Sequence, residues 1–165
     1  MSTRAIVEVI DERETWRLYC HGDGYPDYLG RILLDICNEL AQIDTNCSDV
    51  KSKATLDDVR CPVWPKLWVP NVASEACKTV AVIAGELWRR GYHGVYLTTR
   101  DPDKEVAEDG TDIEHLYRVN VSNRYLPVIS WWTINCDRER FYHHSDESFR
   151  EKAGFEEDKS GRDMD

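Results

Sequence analysis

Two segments of the chain carry apolar residues at helical spacing, and each is long enough to form an amphipathic helix. The first stripe, at i, i+3, i+4, i+7, i+8 and i+11, comprises Leu29, Ile32, Leu33, Ile36, Cys37 and Leu40. The second comprises Ala73, Cys77, Val80, Ala84, Leu87 and Trp88. Because each helix must bury its stripe, the chain needs a sheet or further helices packed beside the two.

Local signals place the ends of both helices. Pro26 suits a first helical turn, so the first helix is predicted at about residues 27–41. Asn71 or Ser74 can cap the second helix, and Gly91 is a natural stop after it.

Strands are predicted on both sides of the helices. Dense β-branched residues with alternation predict a hairpin from residues 4–10 and 15–20. Three more strands are expected at 93–100, 115–121 and 126–136. The predicted fold is α+β: a single antiparallel sheet of about five strands with two amphipathic helices on one face, in the order β-β-α-α-β-β-β.

The chain length of 165 residues suits one domain. We expect this domain at residues 1–144 and a charged C-terminal tail at 145–165. Two alternatives stay open for the tail, since a partner could order it or it could form a short surface helix.

The formal net charge of −10 argues against direct nucleic-acid binding. It suits solubility, or a surface that imitates nucleic acid. No apolar run approaches the ~20 residues of a membrane-spanning helix. Charges interrupt the residues after Met1, so no secretory signal is predicted and a cytoplasmic location is expected.

Metal and cofactor sites are not predicted. The cysteines form no Cys-x-x-Cys pair, and the spacing of His93, His115, His143 and His144 matches no ligand pattern. Residues 101–112 resemble a calcium loop but lack its glycine at position six and its glutamate at position twelve. We therefore expect them to form an acidic, solvated hairpin loop.

The loop at residues 21–26 is the best candidate for a ligand site. It follows a strand, opens a helix and contains two glycines, so its backbone N–H groups could hold a phosphate or carboxylate. The residues that would serve this site are Arg4, His21, Asp23, Gly24 and Tyr25. The alternative is structural, because a strand-to-helix junction needs a turn and a helix cap anyway.

The N-terminal segments Ser2-Thr3-Arg4-Ala5 and His21-Gly22-Asp23-Gly24-Tyr25-Pro26 carry a resemblance. They are similar to a group of small uncharacterised bacteriophage and prophage proteins with an N-terminal Ser-Thr-Arg-Ala hairpin and a His-x-Asp-Gly-Tyr-Pro motif. The match covers only the first ~30 residues. It implies the cytoplasm of an infected bacterium as the setting and assigns no activity.

From these observations we expect a non-catalytic interaction protein that inhibits a host defence complex, in the manner of an anti-CRISPR protein. The partner would be a nucleic-acid-processing host complex, and acidic mimicry of nucleic acid would be the means. Mimicry requires the acids of residues 101–114 and of the tail to share a face. The predicted contact residues are Asp101, Asp103, Glu105, Glu108, Asp109, Asp112, Trp131 and Trp132.

The sequence also allows two alternative functions. The first is a nucleotide- or phosphate-binding (sequestering) protein, or a small hydrolase, that uses the 21–26 loop. The second is a homo-oligomer whose interface is the tryptophan-rich final strand. Trp131 and Trp132 are adjacent in a strand and are therefore expected on opposite faces of the sheet.

Overall fold

The computed structural model describes residues 3–46, 74–123 and 126–154. A π-helical turn, Pro26–Gly30, leads directly into α1. The α+β class is confirmed. In chain order the elements of the described residues are β1 Ala5–Ile10, β2 Thr15–Cys20, α1 Arg31–Asn46, α2 Glu75–Arg89, β3 Val95–Thr98, α3 Pro102–Glu108, β4 His115–Asn120, β5 Val128–Ile134, β6 Phe141–His144 and α4 Asp146–Ala153.

The sheet of the described residues has six strands in the order β3-β2-β1-β4-β5-β6. The predicted hairpin is present, because β1 and β2 pair antiparallel with Ala5 opposite Cys20. The expectation of a purely antiparallel sheet is wrong, since β1 and β4 pair parallel. The reason lies in the connection between β3 and β4. Strand β3 lies at one edge of the sheet and β4 lies on the far side of β1, so the chain crosses over the sheet between the two. This crossover is the kind of connection that parallel strands require, and it brings β4 in parallel to β1.

Helices α1 and α2 pack on one face of the sheet, which we call the helix face. Their buried residues, such as Leu33 and Val80, join one apolar cluster with Val7 and Leu18 of the strands. Both sequence stripes therefore serve the same core. None of the helices in the described residues is long and apolar enough to span a membrane.

The ends of the two helices follow local chemistry. The Ser74 hydroxyl accepts a hydrogen bond from the Cys77 N–H at 3.1 Å and caps α2. Gly91 follows α2 with φ +88°, a conformation that glycine adopts without steric cost. Helix α1 continues to Asn46, beyond the predicted end at residue 41. The alternative cap Asn71 and the stripe residue Ala73 lie outside the described residues.

The chain after residue 140 is more ordered than the sequence indicates. Strand β6 adds to β5, and helix α4 follows with Ser145 as its N-cap. Phe149 of α4 is 1% exposed and contacts the rings of Tyr117 and Trp131. Residues 146–153 are thus part of the domain and not of a tail, and the rest of the predicted tail, 155–165, lies outside the described residues.

Residues 101–112 do not form the expected hairpin loop. They contain α3, whose N-cap is Asp101, and they make the crossover from β3 to β4. This crossover runs over the second face, which we define as the sheet face turned away from α1 and α2. Ile113 at its end is buried there against Ile6 and Leu116.

Candidate interaction site

The 21–26 loop is held in place through its backbone. The Gly24 N–H donates to the Thr3 carbonyl at 2.9 Å, and the Tyr117 hydroxyl donates to the Gly24 carbonyl at 2.7 Å. The Tyr92 hydroxyl donates to the Gly22 carbonyl. Of these loop groups, only the Gly24 N–H could donate to an anion, and it is already engaged. The Gly22 and Gly24 carbonyls are acceptors that tie the loop to the core, so these bonds favour the structural alternative of a turn.

The predicted ligand residues around this loop do not converge. His21 Nδ1 bonds the Tyr19 hydroxyl at 3.0 Å, whereas Asp23 accepts from the Tyr25 hydroxyl at 3.0 Å. Arg4 instead pairs with Asp112 at 3.5 Å. Within the described part of the chain, no specific contact therefore favours the phosphate-binding or hydrolase alternative.

Three of the six acids of residues 101–112 are paired with arginines, namely Asp101, Glu105 and Asp112. The Arg100 guanidinium lies 2.7 Å from Glu105 and 2.5 Å from Asp112. Asp101 caps α3 and lies 3.6 Å from Arg17. Pairing of this kind cancels part of the negative field that a nucleic-acid mimic must present.

The remaining acids are divided between the two faces. Asp103, Glu108 and Asp109 are exposed on the α3 crossover, which runs over the second face. Glu151 belongs to α4, whose Phe149 packs into the helix-face core. The described acids of the two segments do not share a face, so the geometry gives acidic mimicry little support.

A buried carboxylate organises the centre of the second face. Glu8 is 3% exposed and accepts from Arg17 Nε at 2.8 Å and from Arg118 Nε at 2.9 Å. A buried charge needs such partners, because its desolvation is otherwise too costly. Glu8 therefore fixes the position of both guanidinium groups, and we call these three residues the Glu8 cluster.

Trp131 and Trp132 lie on opposite faces, as the alternation of the strand predicts. Trp131 is 4% exposed in the helix-face core. Trp132 is half-buried on the second face, where the Arg118 guanidinium lies 4.7 Å from its ring centroid. Of the two tryptophans among the predicted contact residues, only Trp132 reaches the surface.

Beside Trp132 lies a shallow cavity of about 460 Å³, which we call the Trp132 cavity. Its apolar part includes two large exposed side chains, Leu126 at 63% and Val128 at 47%. A central apolar area with an aromatic ring, an arginine and a polar rim is typical of protein interfaces. The lining residues are Ile10, Arg118, Asn120, Ser122, Asn123, Leu126, Val128, Ser130 and Trp132.

Sequence reasoning missed most of this site, although its signals were present. Glu8 is a single charge within the apolar strand Ala5–Ile10, and Arg118 is a single charge within His115–Asn120. Charges in such strands mark buried pairs. Leu126, Val128 and Trp132 share one face by alternation, and the pairing of β4 with β5 brings them beside Arg118. Only the parallel pairing of β1 with β4 brings Glu8 to the same place.

A larger hollow of about 670 Å³ lies beside Trp16 and Leu97, at the end of β3. Its charged residues already have partners. Glu14 accepts from Trp16 Nε1 and from the Ser74 hydroxyl, each at 2.6 Å. Arg17 is bound to Glu8 and also lies 3.6 Å from Asp101, whereas the side chain of Arg118 has Glu8 as its one hydrogen-bond acceptor among the described residues. This hollow therefore offers weaker recognition than the Trp132 cavity.

No family model matches the chain, and neither a curated protein nor a solved structure matches it.

Proposed function

We propose that this protein is a non-catalytic interaction protein and that it binds a partner protein at the Trp132 cavity. The observation that carries the proposal is the exposure of Leu126 and Val128 beside Trp132. Large apolar side chains that cluster at the surface mark interaction sites more often than isolated ones do. Removing them from water on binding would supply much of the affinity.

The state of the reactive side chains supports the non-catalytic part of the proposal. Burial raises the pKa of the Cys20 and Cys37 thiols to about 12, so neither supplies a thiolate at neutral pH. Burial also lowers the pKa of His115, whose Nδ1 already accepts from the Trp131 indole. None of these three groups is therefore suited to nucleophilic or acid–base chemistry at neutral pH, which supports a non-catalytic role.

The class of partner comes from the phage resemblance and is part of the proposal. A host defence complex of the nucleic-acid-processing kind is the partner that this setting suggests. The proposed contact lies at the Trp132 cavity and not on the acids of residues 101–112, because Arg100 and Arg17 neutralise Glu105, Asp112 and Asp101.

Site-specific photo-crosslinking tests this proposal. Val128 is replaced by p-benzoylphenylalanine in the full chain, and the protein is irradiated in lysate of the cells in which the gene occurs. The matched control carries the same group at Tyr142, which is similarly exposed at 44% but lies on edge strand β6. We expect a discrete protein adduct from position 128 and none from position 142.

Leu126→Ser supplies the second arm of the test. Because Leu126 is largely exposed, its replacement should leave the fold intact while it weakens the adduct-forming interaction by about tenfold. The proposal fails if position 128 gives no adduct, if both positions give the same adducts, or if Leu126→Ser leaves the adduct unchanged.

A further inference from the structure

We infer that the partner segment presents a side-chain carboxylate to Arg118, next to an apolar side chain that enters the Trp132 cavity. This inference rests on the proposed function and specifies the chemistry of the partner. It depends on the position of Arg118, on its free donors and on the charges around the cavity.

Two contacts within the protein fix the position of the Arg118 guanidinium without a partner. Its Nε donates to buried Glu8 at 2.9 Å, and its guanidinium lies over the Trp132 ring at 4.7 Å. Its side chain is nevertheless 33% exposed and lines the cavity. A guanidinium fixed in this way loses little entropy when it binds an acceptor, which favours binding.

The two arginines of the Glu8 cluster differ in the acceptors that lie near their Nη atoms. Arg17 Nη2 lies 3.6 Å from Asp101, at the start of α3. The two Nη atoms of Arg118 donate to no acceptor within residues 3–46, 74–123 and 126–154. Arg118 therefore retains the pair of parallel donors that matches a carboxylate.

Among the described residues that line the cavity, none is negatively charged. The acids that act on Arg118 from outside the lining are Glu8, which its Nε already bonds, and Asp103, whose carboxyl it attracts electrostatically. In the described part of the chain, Arg118 is the charged residue of the lining, and the polar residues around it, including Asn120 and Ser130, are neutral. One carboxylate beside an apolar group complements one guanidinium beside Leu126 and Val128. A polyanion such as nucleic acid is disfavoured, because the whole chain carries a net charge of −10.

Nuclear magnetic resonance titration of the full ¹⁵N-labelled chain tests this inference with two matched probes. The probes are N-acetyl-leucyl-glutamate amide and N-acetyl-leucyl-glutamine amide. The reporters are the Trp132 indole N–H and the Arg118 Nε–H. We expect both reporters to shift saturably and the glutamate peptide to bind about tenfold more tightly, as a charge-assisted hydrogen bond provides.

Arg118→Lys should abolish this preference, because an ammonium cannot bond Glu8 and also hold a carboxylate through two parallel bonds. The control Arg140→Lys alters another arginine that lies over an aromatic ring, Tyr142, and should leave the preference unchanged. Equal binding of the two peptides, no shift of either reporter, or a larger shift with a single-stranded oligonucleotide would overturn the inference.

The two proposals fail in different ways. A position-128 adduct that depends on Leu126, together with no preference for the glutamate peptide, would keep the interaction function and reject the carboxylate. Loss of the adduct would reject the interaction site itself, whatever the peptides do.

Discussion

The indole Nε1 of Trp131 donates a hydrogen bond to Nδ1 of His115 across 3.0 Å, and the two rings stack. Burial is the main reason why the pKa of His115 is lowered to about 4. Because Nδ1 is the acceptor, the neutral imidazole carries its proton on Nε2. Protonation at Nδ1 would break this bond and place a charge inside the sheet.

We therefore expect the protein to lose stability in mild acid. Between the ordinary histidine pKa of 6.5 and the native value of about 4, the unfolded chain binds a proton that native His115 does not. The free energy of unfolding should fall by roughly 2–3 kcal/mol as pH decreases through this window, and His115 should add no pH dependence above it. Urea denaturation at a series of pH values measures this loss.

His115→Gln removes the titrating group and should flatten the profile. Burial also lowers the pKa of His144, which stacks on Trp131, so this residue contributes in the same direction. His144→Gln should therefore remove a smaller part of the slope. If His115→Gln leaves the pH profile of the wild type unchanged, the assignment to His115 is wrong.

A side chain at position 24 should destabilise the domain. A Cβ atom on Gly24 would lie 2.8 Å from both the Ala5 Cβ and the Thr3 carbonyl, so the backbone must move. We expect Gly24→Ala to cost about 1–3 kcal/mol, measured by chemical denaturation. In the control Gly94→Ala the new Cβ would meet the His21 Cβ at an ordinary 3.5 Å, and the change should stay within about 0.5 kcal/mol.

Helix α4 should unfold with the domain, because its one aromatic anchor is buried. Phe149 packs against Tyr117 and Trp131, and its truncation leaves a cavity between α4 and the sheet. Phe149→Ala should cost about 3–5 kcal/mol and should remove hydrogen-exchange protection from the α4 amides. Glu151→Ala, on the exposed side of the helix, should leave both unchanged. Unprotected α4 amides in the wild type would contradict this packing.

Among the acids of residues 101–112, we expect Glu105 to stabilise the fold and Glu108 to have no effect. Glu105 accepts from Arg100 and from the Thr111 hydroxyl, and the Arg100 bond lowers its pKa. Glu105→Gln should destabilise by about 1 kcal/mol, since the pair is partly exposed. Glu108→Gln is the matched control, and thermal denaturation compares the two.

Glu105 and His115 both lose their stabilising effect in acid, but for different reasons. The bond to Arg100 favours the charged form of Glu105, whereas burial favours the neutral form of His115. Because the native pKa of Glu105 lies below the unfolded value of 4.5, the stabilisation is complete above that pH and is lost as Glu105 becomes protonated in acid. Wild type and Glu105→Gln should therefore converge at low pH. A difference that persists under full protonation would mean that shape, and not charge, explains the effect.

Local patterns were sufficient for the elements that carry strong periodicity. The stripes of α1 and α2, the β1–β2 hairpin, the Ser74 cap and the opposite sides of Trp131 and Trp132 all follow from spacing and side-chain type. For the segment of α4 the sequence leaves a helix as only one of two alternatives, because a single buried aromatic, Phe149, gives a charged segment too weak a pattern.

The sequence by itself determined the α+β class, the core stripes and the alternation of the strands, since each depends on neighbours a few residues apart. Only the tertiary structure decided the position of β4 beside β1, the pairing of the acids of residues 101–112 with Arg17 and Arg100, and the meeting of Arg118 with Trp132. The pairs of Arg100 lie five and twelve residues apart and depend on how the crossover folds. The other contacts depend on which strands become neighbours once the crossover has formed. Periodicity records which face a side chain takes, but it carries no information about what lies opposite.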